Sequence, residues 1–417
     1  MRMSGWLMIA LCGAGLGRAL PAAAQAQPPA ADDPVSVLVG RLDLERFKAT
    51  IKELTRFGDR RQGTERNRRA VDWIEEQLKS YGCTNTERIR YQYAPLPPAP
   101  RPANQPAAAP APRPAPPPPT IASGEVRRGP GGSRYRGITR GTGVNNDSTQ
   151  QPDVRLRELN REPTTAGPRE EVYCTKVGAT RPQEMYIVGA HMDGHGWGEA
   201  ANDDGSGTAL VMELARILSA SDVVTDRSIR FALWNNEETG LDGAEAYVQQ
   251  RAGLQGIESP PRSGRYPEPR WLAMIQHDMM MWDHGMPRAD GSYDPEQRPE
   301  ADVNIEFQST ALRADEAMKL AFFFREANER YATDYPAAVG PHMTNTDSEP
   351  FMHLVPAISL RENERGMHTG AGWNPTWHQP IDVFATFSDK DFRLGLNAAQ
   401  TTLGAVGQLA GARLGGR

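Results

Sequence analysis

The sequence contains little cysteine, no excess of positive charge and no long hydrophobic run beyond its first residues. Three cysteines in 417 residues are too few for a thiolate metal site. The formal net charge of -5 lacks the basic footprint of nucleic-acid-binding proteins, so no nucleic acid partner is expected. No later segment reaches the roughly 18 apolar residues of a membrane-spanning helix, so stable membrane insertion is not expected either.

The first 26 residues are typical of a signal peptide. Arg2 supplies a positive charge, residues 6–16 are apolar, and Ala24-Gln25-Ala26 predicts cleavage before Gln27. The apolar stretch is too short to span a bilayer. We therefore expect residues 1–26 to be removed and the protein to be exported, either to the periplasm or to the medium.

Composition divides the mature chain into unequal parts. Residues 27–40 are rich in Ala, Pro and Gln, which predicts a mobile amino-terminal tail. Residues 41–417 are expected to form one catalytic domain, beginning with helical apolar spacing over residues 42–81. Pro- and Ala-rich sequence followed by Gly- and Arg-rich sequence predicts an insertion at about 94–150, because such segments cannot build a core.

Cys83 and Cys174 remain after removal of the signal peptide. An oxidising compartment would allow them to form one disulfide. Two free buried thiols are the alternative, because the sequence does not give the distance between them.

Three short apolar segments predict buried strands, and each is followed at once by ionisable residues. Residues 184–190 lead to His191-Met192-Asp193, residues 230–234 lead to Glu237-Glu238, and residues 271–276 lead to His277-Asp278. Asp203 and Asp204 precede a helical pattern, where either could simply cap the helix. Ligands bind at the carboxyl ends of strands in open α/β sheets, so these side chains are expected to meet.

Histidines and carboxylates without thiolates suit a pair of zinc ions, and also tolerate cobalt or manganese. A His-x-Asp triplet allows the carboxylate to fix the second nitrogen of a metal-bound imidazole. In the Glu237-Glu238 pair, one carboxylate can bind a metal while the other acts as a general base. The residue types therefore predict metal-assisted hydrolysis.

The ordered motifs His-x-Asp, Asn-Asp-Asp-Gly-Ser-Gly, Glu-Glu-x-Gly-Leu, Asp and His resemble the aminopeptidase Y family of di-zinc metallopeptidases. That family includes secreted bacterial leucyl aminopeptidases and, more distantly, glutamate carboxypeptidases and glutaminyl cyclases. The similarity covers residues 42–81 and 172–410. It implies an α/β fold with three layers, α/β/α, around a mixed and mostly parallel central sheet.

The resemblance also implies a ligand set for two zinc ions. His191 and Asp278 would complete one zinc position, and Glu238 and His378 would complete the other. Asp203 would bridge them.

Two further roles and an activity follow from the same resemblance. Glu237 would be the general base that activates a water held between the metals, and Asp193 would orient His191. The peptide bond between Asp203 and Asp204 would be cis. The implied activity is an exopeptidase that releases residues from the amino terminus of peptide substrates.

Other functions remain open at this point. A dipeptidase or glutamate-carboxypeptidase-like hydrolase would need a cation for a free carboxylate, for which Arg361 is the candidate unless it is a surface arginine. A glutaminyl cyclase would use a single zinc, and a non-catalytic binding module would lack ligands. His195 and His284 match no ligand position and are interpreted as loop histidines. The sequence does not predict an oligomeric state.

Overall fold

The computed structural model describes residues 33–83, 85–93, 144–145, 147–283, 303–341, 346–362, 374 and 376–415. The predicted signal peptide and residues 27–32 of the predicted tail lie outside these ranges. So do most of the insertion expected at about 94–150, and His284.

Helices and strands alternate through most of the described chain. The helices are α1 (Pro34–Val39), α2 (Leu44–Thr55), α3 (Glu65–Ser80), α4 (Val154–Asn160), α5 (Gly205–Leu218), α6 (Asp242–Arg251), α7 (Ala314–Tyr331) and α8 (Asp389–Ala410). The strands are β1 (Thr86–Tyr93), β2 (Gly167–Lys176), β3 (Arg181–His191), β4 (Val223–Val224), β5 (Arg227–Trp234), β6 (Arg270–His277), β7 (Val303–Phe307), β8 (Ala337–Gly340), β9 (Ala357–Arg361) and β10 (Arg413–Leu414). Within the described ranges, no helix has the length and apolar character needed to cross a membrane.

Eight of the described strands form one sheet in the order β1-β2-β5-β3-β6-β9-β7-β8. The central strands β5, β3, β6 and β9 run parallel, as do β7 and β8. The pairs β1–β2, β2–β5 and β9–β7 are antiparallel. The prediction of a mixed, mostly parallel sheet is therefore confirmed.

Side chains that alternate along the strands supply two separate cores. Along β3, Val188 and Ala190 belong to the larger core, whereas Met185 and Ile187 belong to the smaller one. This alternation is expected because successive strand residues point to opposite faces of a sheet. Residues of α2, α3, α5, α7 and α8 fill the larger core, and residues of α6 fill the smaller one. The sheet thus lies between two helical layers, as predicted.

Residues 34–39, which the composition places in a mobile tail, form a helix that packs on the rest of the chain. Asp33 caps α1 and Pro34 occupies its first turn, where a missing N–H costs nothing. Val35 and Leu38 are buried, and α1 packs on α8, where a β-carbon at Gly407 would lie 3.2 Å from Val35. The prediction of a mobile tail over residues 27–40 is therefore wrong for α1, because its apolar residues bury against the last helix.

Cys83 and Cys174 form a disulfide across 91 residues of sequence. Cys83 follows α3 and Cys174 lies in β2, and both are buried. The pairing links helix α3 to the sheet, and it decides between the two alternatives that the sequence left open.

Candidate metal centre

The parallel strands bring three of the predicted segments to one edge of the sheet. β5, β3 and β6 are neighbours, so their carboxyl ends lie side by side. His191 ends β3, Asp278 directly follows β6, and Glu237 and Glu238 begin a short 3₁₀ turn after β5. The observed strands contain the apolar segments identified in the sequence. Their shared edge therefore explains why residues distant in sequence meet here.

The two adjacent aspartates before α5 have different environments. Asp204 is the N-cap of α5, and its Oδ1 accepts a hydrogen bond from the Gly207 N–H at 2.8 Å. Its other oxygen accepts from the His191 N–H at 3.2 Å. Asp203 lies among the histidines, and the peptide bond between Asp203 and Asp204 is cis. Asp204 therefore caps the helix, and Asp203 is directed into the cluster.

Buried polar side chains hold the loop that carries Asp203. The fully buried guanidinium of Arg60 donates hydrogen bonds of 2.7–2.8 Å to three main-chain carbonyls within residues 192–200. The carboxylate of Asp382 accepts hydrogen bonds from the N–H groups of Asn202 and Asp203 at 2.9 and 3.1 Å. These contacts fix the loop without using the side chain of Asp203. Arg60 belongs to none of the motifs identified in the sequence.

All five side chains predicted as metal ligands converge, and Asp203 lies between the two histidines. Its Oδ1 is 3.3 Å from Nε2 of His191, and its Oδ2 is 3.2 Å from Nε2 of His378. Asp278 Oδ1 lies 3.8 Å from His191 Nε2, and Glu238 Oε2 lies 2.8 Å from His378 Nε2. The cluster therefore has two halves that share Asp203.

The donor atoms of this cluster fit zinc. Asp203 Oδ2 and Glu238 Oε1 are buried and have no hydrogen-bond partner among the described residues. Burial opposes a charged imidazole, yet Glu238 and Asp203 raise the pKa of His378 to about 10. Divalent cations would neutralise this concentration of negative charge around the imidazole nitrogens. Imidazole nitrogen and carboxylate oxygen are both common zinc ligands.

Glu237 and Asp193 lie beside the His191 half of the cluster. His191, Glu237 and Asp278 present ligand-type atoms within 4.8 Å of one another. Burial, and then the carboxylates of Asp278 and Glu238, raise the pKa of Glu237 well above its usual range. Two bound cations would offset these like charges.

The contact between Asp193 and His191 differs in detail from the expected one. His191 Nδ1 lies 3.0 Å from the main-chain carbonyl oxygen of Asp193, whereas the carboxylate oxygen is 3.8 Å away. The carboxylate instead accepts a hydrogen bond from the Glu237 N–H at 3.2 Å. Asp193 therefore contacts the imidazole mainly through its backbone, and its side chain fixes the segment that carries Glu237.

Arg361, at the end of β9, is neither on the surface nor directed to solvent. It is buried, and its Nη2 lies 2.9 Å from Asp278 Oδ2. Its Nε lies 3.5 Å from Glu306 Oε2. Burial disfavours the charged carboxylate, but Arg361 and His191 lower the pKa of Asp278 to about 2. Arg361 thus keeps Asp278 ionised and oriented.

His195 lies within the cluster, which the sequence interpretation as an ordinary loop histidine did not anticipate. Its Nε2 is 2.9 Å from Glu238 Oε2, and its ring centroid is 4.1 Å from that of His378. The available signal was its position between Gly194 and Gly196, since paired glycines permit a close approach of the backbone.

The part of the chain that carries the cluster matches a known protein family. The sequence profile of peptidase family M28 matches residues 172–399, which is more than half of the chain. The chain belongs to peptidase family M28. The matched range contains all five residues predicted as metal ligands, and family membership confirms the resemblance seen in the motifs.

Relatives within and around this family share limited parts of the sequence. An aminopeptidase from Pseudomonas aeruginosa is 42% identical over 109 residues, which are 25% of this chain and 19% of the relative. Carboxypeptidase Q from Xenopus laevis is 33% identical over 73 residues, 18% of this chain and 16% of the relative. The matches therefore span about a fifth or less of these curated relatives.

A solved structure shows that the likeness extends over the whole fold. A zinc aminopeptidase from Bacillus subtilis superimposes with a TM-score of 0.54 at 15% identity, covering 88% of this chain and 95% of that chain. At this identity the superposition establishes the α/β fold and not the activity.

Proposed function

We propose that this chain is an exported, zinc-dependent aminopeptidase that hydrolyses the amino-terminal peptide bond of its substrates. One observation carries the proposal: the two carboxylate oxygens of Asp203 face two different histidines, at 3.3 and 3.2 Å. A carboxylate placed in this way can bridge two ions, and two-metal sites are widespread among hydrolases.

Each half of the cluster would hold one zinc ion. His191 and Asp278 would bind one ion, Glu238 and His378 would bind the other, and Asp203 would contact both. When bound, the zinc pair supplies Lewis acidity, which polarises a carbonyl and lowers the pKa of a water.

Glu237 is the residue that we assign to proton transfer. Its side chain lies near His191 and Asp278, and its N–H donates to Asp193, so its position is fixed from the backbone. The carboxylate takes the proton from the attacking water and returns it to the amine that leaves. Peptide hydrolysis is then balanced, because the water oxygen joins the carbonyl carbon as the C–N bond breaks.

The recognition of an amino terminus would rest on hydrogen bonds and not on net charge. Two bound zinc ions would offset most of the carboxylate charge, and carboxylate oxygens beside the metals would accept hydrogen bonds from the α-amine of a substrate. The carboxypeptidase alternative relied on Arg361 as the cation for a free carboxylate. Arg361 is instead buried and paired with Asp278 and Glu306. Because its charge is already paired with two carboxylates, Arg361 is a poor candidate to bind the free carboxylate of a carboxypeptidase substrate.

The test incubates the zinc-loaded protein with aminoacyl-4-nitroanilides and their N-acetylated counterparts. We expect the free-amine substrate to react at least about 100-fold faster, because a site built to bind a polar group rejects an analogue that lacks it. Cleavage of N-blocked peptides at their carboxyl end, with free-amine substrates left intact, would contradict an aminopeptidase. Cyclisation of amino-terminal Gln peptides without hydrolysis would indicate a glutaminyl cyclase.

The Cys83–Cys174 disulfide supports the proposed export. Disulfides persist in oxidising compartments and are rare in the cytosol. Amino-terminal sequencing of the protein recovered from periplasm or medium is expected to begin at Gln27. An unprocessed chain retained in the cytoplasm would overturn this proposal.

A further inference from the structure

A third histidine approaches the half of the cluster formed by Glu238 and His378. His195 Nε2 and His378 Nε2 lie 2.9 and 2.8 Å from the same carboxylate oxygen, Glu238 Oε2. One ligand atom from each of these three residues lies within 4.8 Å of the others. Three side chains from separate loops thus direct donor atoms to one point.

The contact between His195 Nε2 and Glu238 Oε2 is short, at 2.9 Å, but it lacks the alignment of a well-formed hydrogen bond. His195 Nε2 is buried and has no hydrogen-bond partner among the described residues, and neither does Glu238 Oε1. Leaving a buried polar atom without a hydrogen-bond partner is unfavourable. Two ligands of the same metal ion have this geometry: their donor atoms are close together, but each is directed at the ion and not at the other donor atom.

The backbone beside His195 is shaped to bring it there. Gly196 has a φ of +99°, and a β-carbon at this position would lie 2.3 Å from the main-chain carbon of His378. At Gly198, a β-carbon would lie 2.6 Å from the main-chain oxygen of Asp382. Only glycine permits this approach, so the loop that carries His195 is packed directly against the segment that carries His378.

We propose that His195 is an additional zinc ligand, joining Glu238, His378 and Asp203 at one of the two metal positions. The inference rests on one part of the proposed function, which is that the cluster binds zinc. This position would then have two imidazole nitrogens, whereas the position at His191 and Asp278 has one. Zinc accommodates four or five ligands, and imidazole nitrogen favours zinc over manganese.

The experiment counts imidazoles around zinc and measures zinc affinity, without reference to turnover. X-ray absorption at the zinc edge is recorded for the zinc-loaded wild type and for His195→Gln and His195→Ala. We expect three imidazoles shared by two zinc ions in the wild type and two in the variants. Competition with a chromophoric chelator should show one of the two zinc affinities weakened at least about tenfold.

His353→Gln is the matched control, because His353 is exposed and its Nδ1 accepts a hydrogen bond from the Leu312 N–H away from the cluster. It should leave both measurements unchanged, and circular dichroism and Tm verify that every variant is folded. The conservative His195→Gln serves if His195→Ala does not fold.

Each remaining outcome has a distinct meaning. An unchanged imidazole count in the His195 variants overturns the inference, even if the affinity falls, while the proposed function stands. A wild-type protein that binds no zinc overturns both.

Discussion

The two halves of the cluster are built in different ways. In the first half, His191 and Asp278 follow directly from neighbouring strands, and only 1% and 5% of their side chains are exposed. In the second, Glu238 lies in a 3₁₀ turn, and His195 and His378 lie on loops with 12% of each side chain exposed. The two histidines of the second half are therefore more exposed than His191 and Asp278. We call the second half the open half and the first the buried half.

The buried half is the more rigidly supported, whereas the open half is the more exposed. The ends of hydrogen-bonded strands fix the buried half, and an ion pair with Arg361 holds the carboxylate of Asp278 in place. The open half depends on close loop packing and on His378, which has a φ of +57° that few non-glycine residues adopt. A catalytic site benefits from rigid support for its ligands and from an approach for substrate. Asp203 lies between the two halves and contacts a histidine of each.

The largest effect is expected for Glu237→Gln, which removes a base beside the buried half without removing a predicted ligand. Glutamine keeps the shape of the side chain but does not accept the proton. We expect kcat to fall about 10²–10⁴-fold while both zinc ions stay bound. The measurements are kcat on an aminoacyl-4-nitroanilide and zinc per chain by atomic absorption. A variant with near-normal kcat would exclude Glu237 from proton transfer.

Asp203→Asn is the contrasting variant, because Asp203 faces both halves. It should lower the zinc content of both positions, and activity should fall with the metal. Retention of both ions in Asp203→Asn would show that the two halves bind zinc without a shared ligand.

The cluster residues that follow strand ends were predictable from the sequence because their signals are local. They are His191 and Asp278 of the buried half and Glu238 of the open half. Residues 184–190, 230–234 and 271–276 are apolar runs, and each falls within a strand of the central sheet. The carboxyl ends of parallel strands lie together, so the ionisable residues that follow were expected to meet. The mixed, mostly parallel sheet followed from the same pattern and the family resemblance.

The support of the open half could not be predicted, because it depends on contacts between distant parts of the chain. Arg60 lies 132 residues from the carbonyl of Met192 that it binds. His195 enters the cluster only when the loop around Gly196 packs against His378. Neither contact leaves a periodic pattern in the sequence. The interpretation of α1 as a tail failed for a similar reason, since its partner is the last helix.

The smallest effect is expected for Arg361→Met, which tests whether the two halves are independent. Methionine fills much of the space but removes the charge that holds Asp278, so zinc in the buried half should bind about 10–100-fold more weakly. Zinc in the open half should be unaffected. Chelator competition measures both affinities, and Arg361→Lys should recover part of the loss because it restores the charge without the planar fork.

Combining Arg361→Met with His195→Ala extends this test to the whole cluster. If Asp203 is the main connection between the halves, the free-energy effects of the two substitutions on zinc binding should add within about 0.3–0.5 kcal/mol. A larger interaction energy would mean that the loop carrying His195 and the strand end carrying Arg361 move together. In that case the contrast between a rigid half and an open half would have to be abandoned, because substrate access would disturb both metal positions.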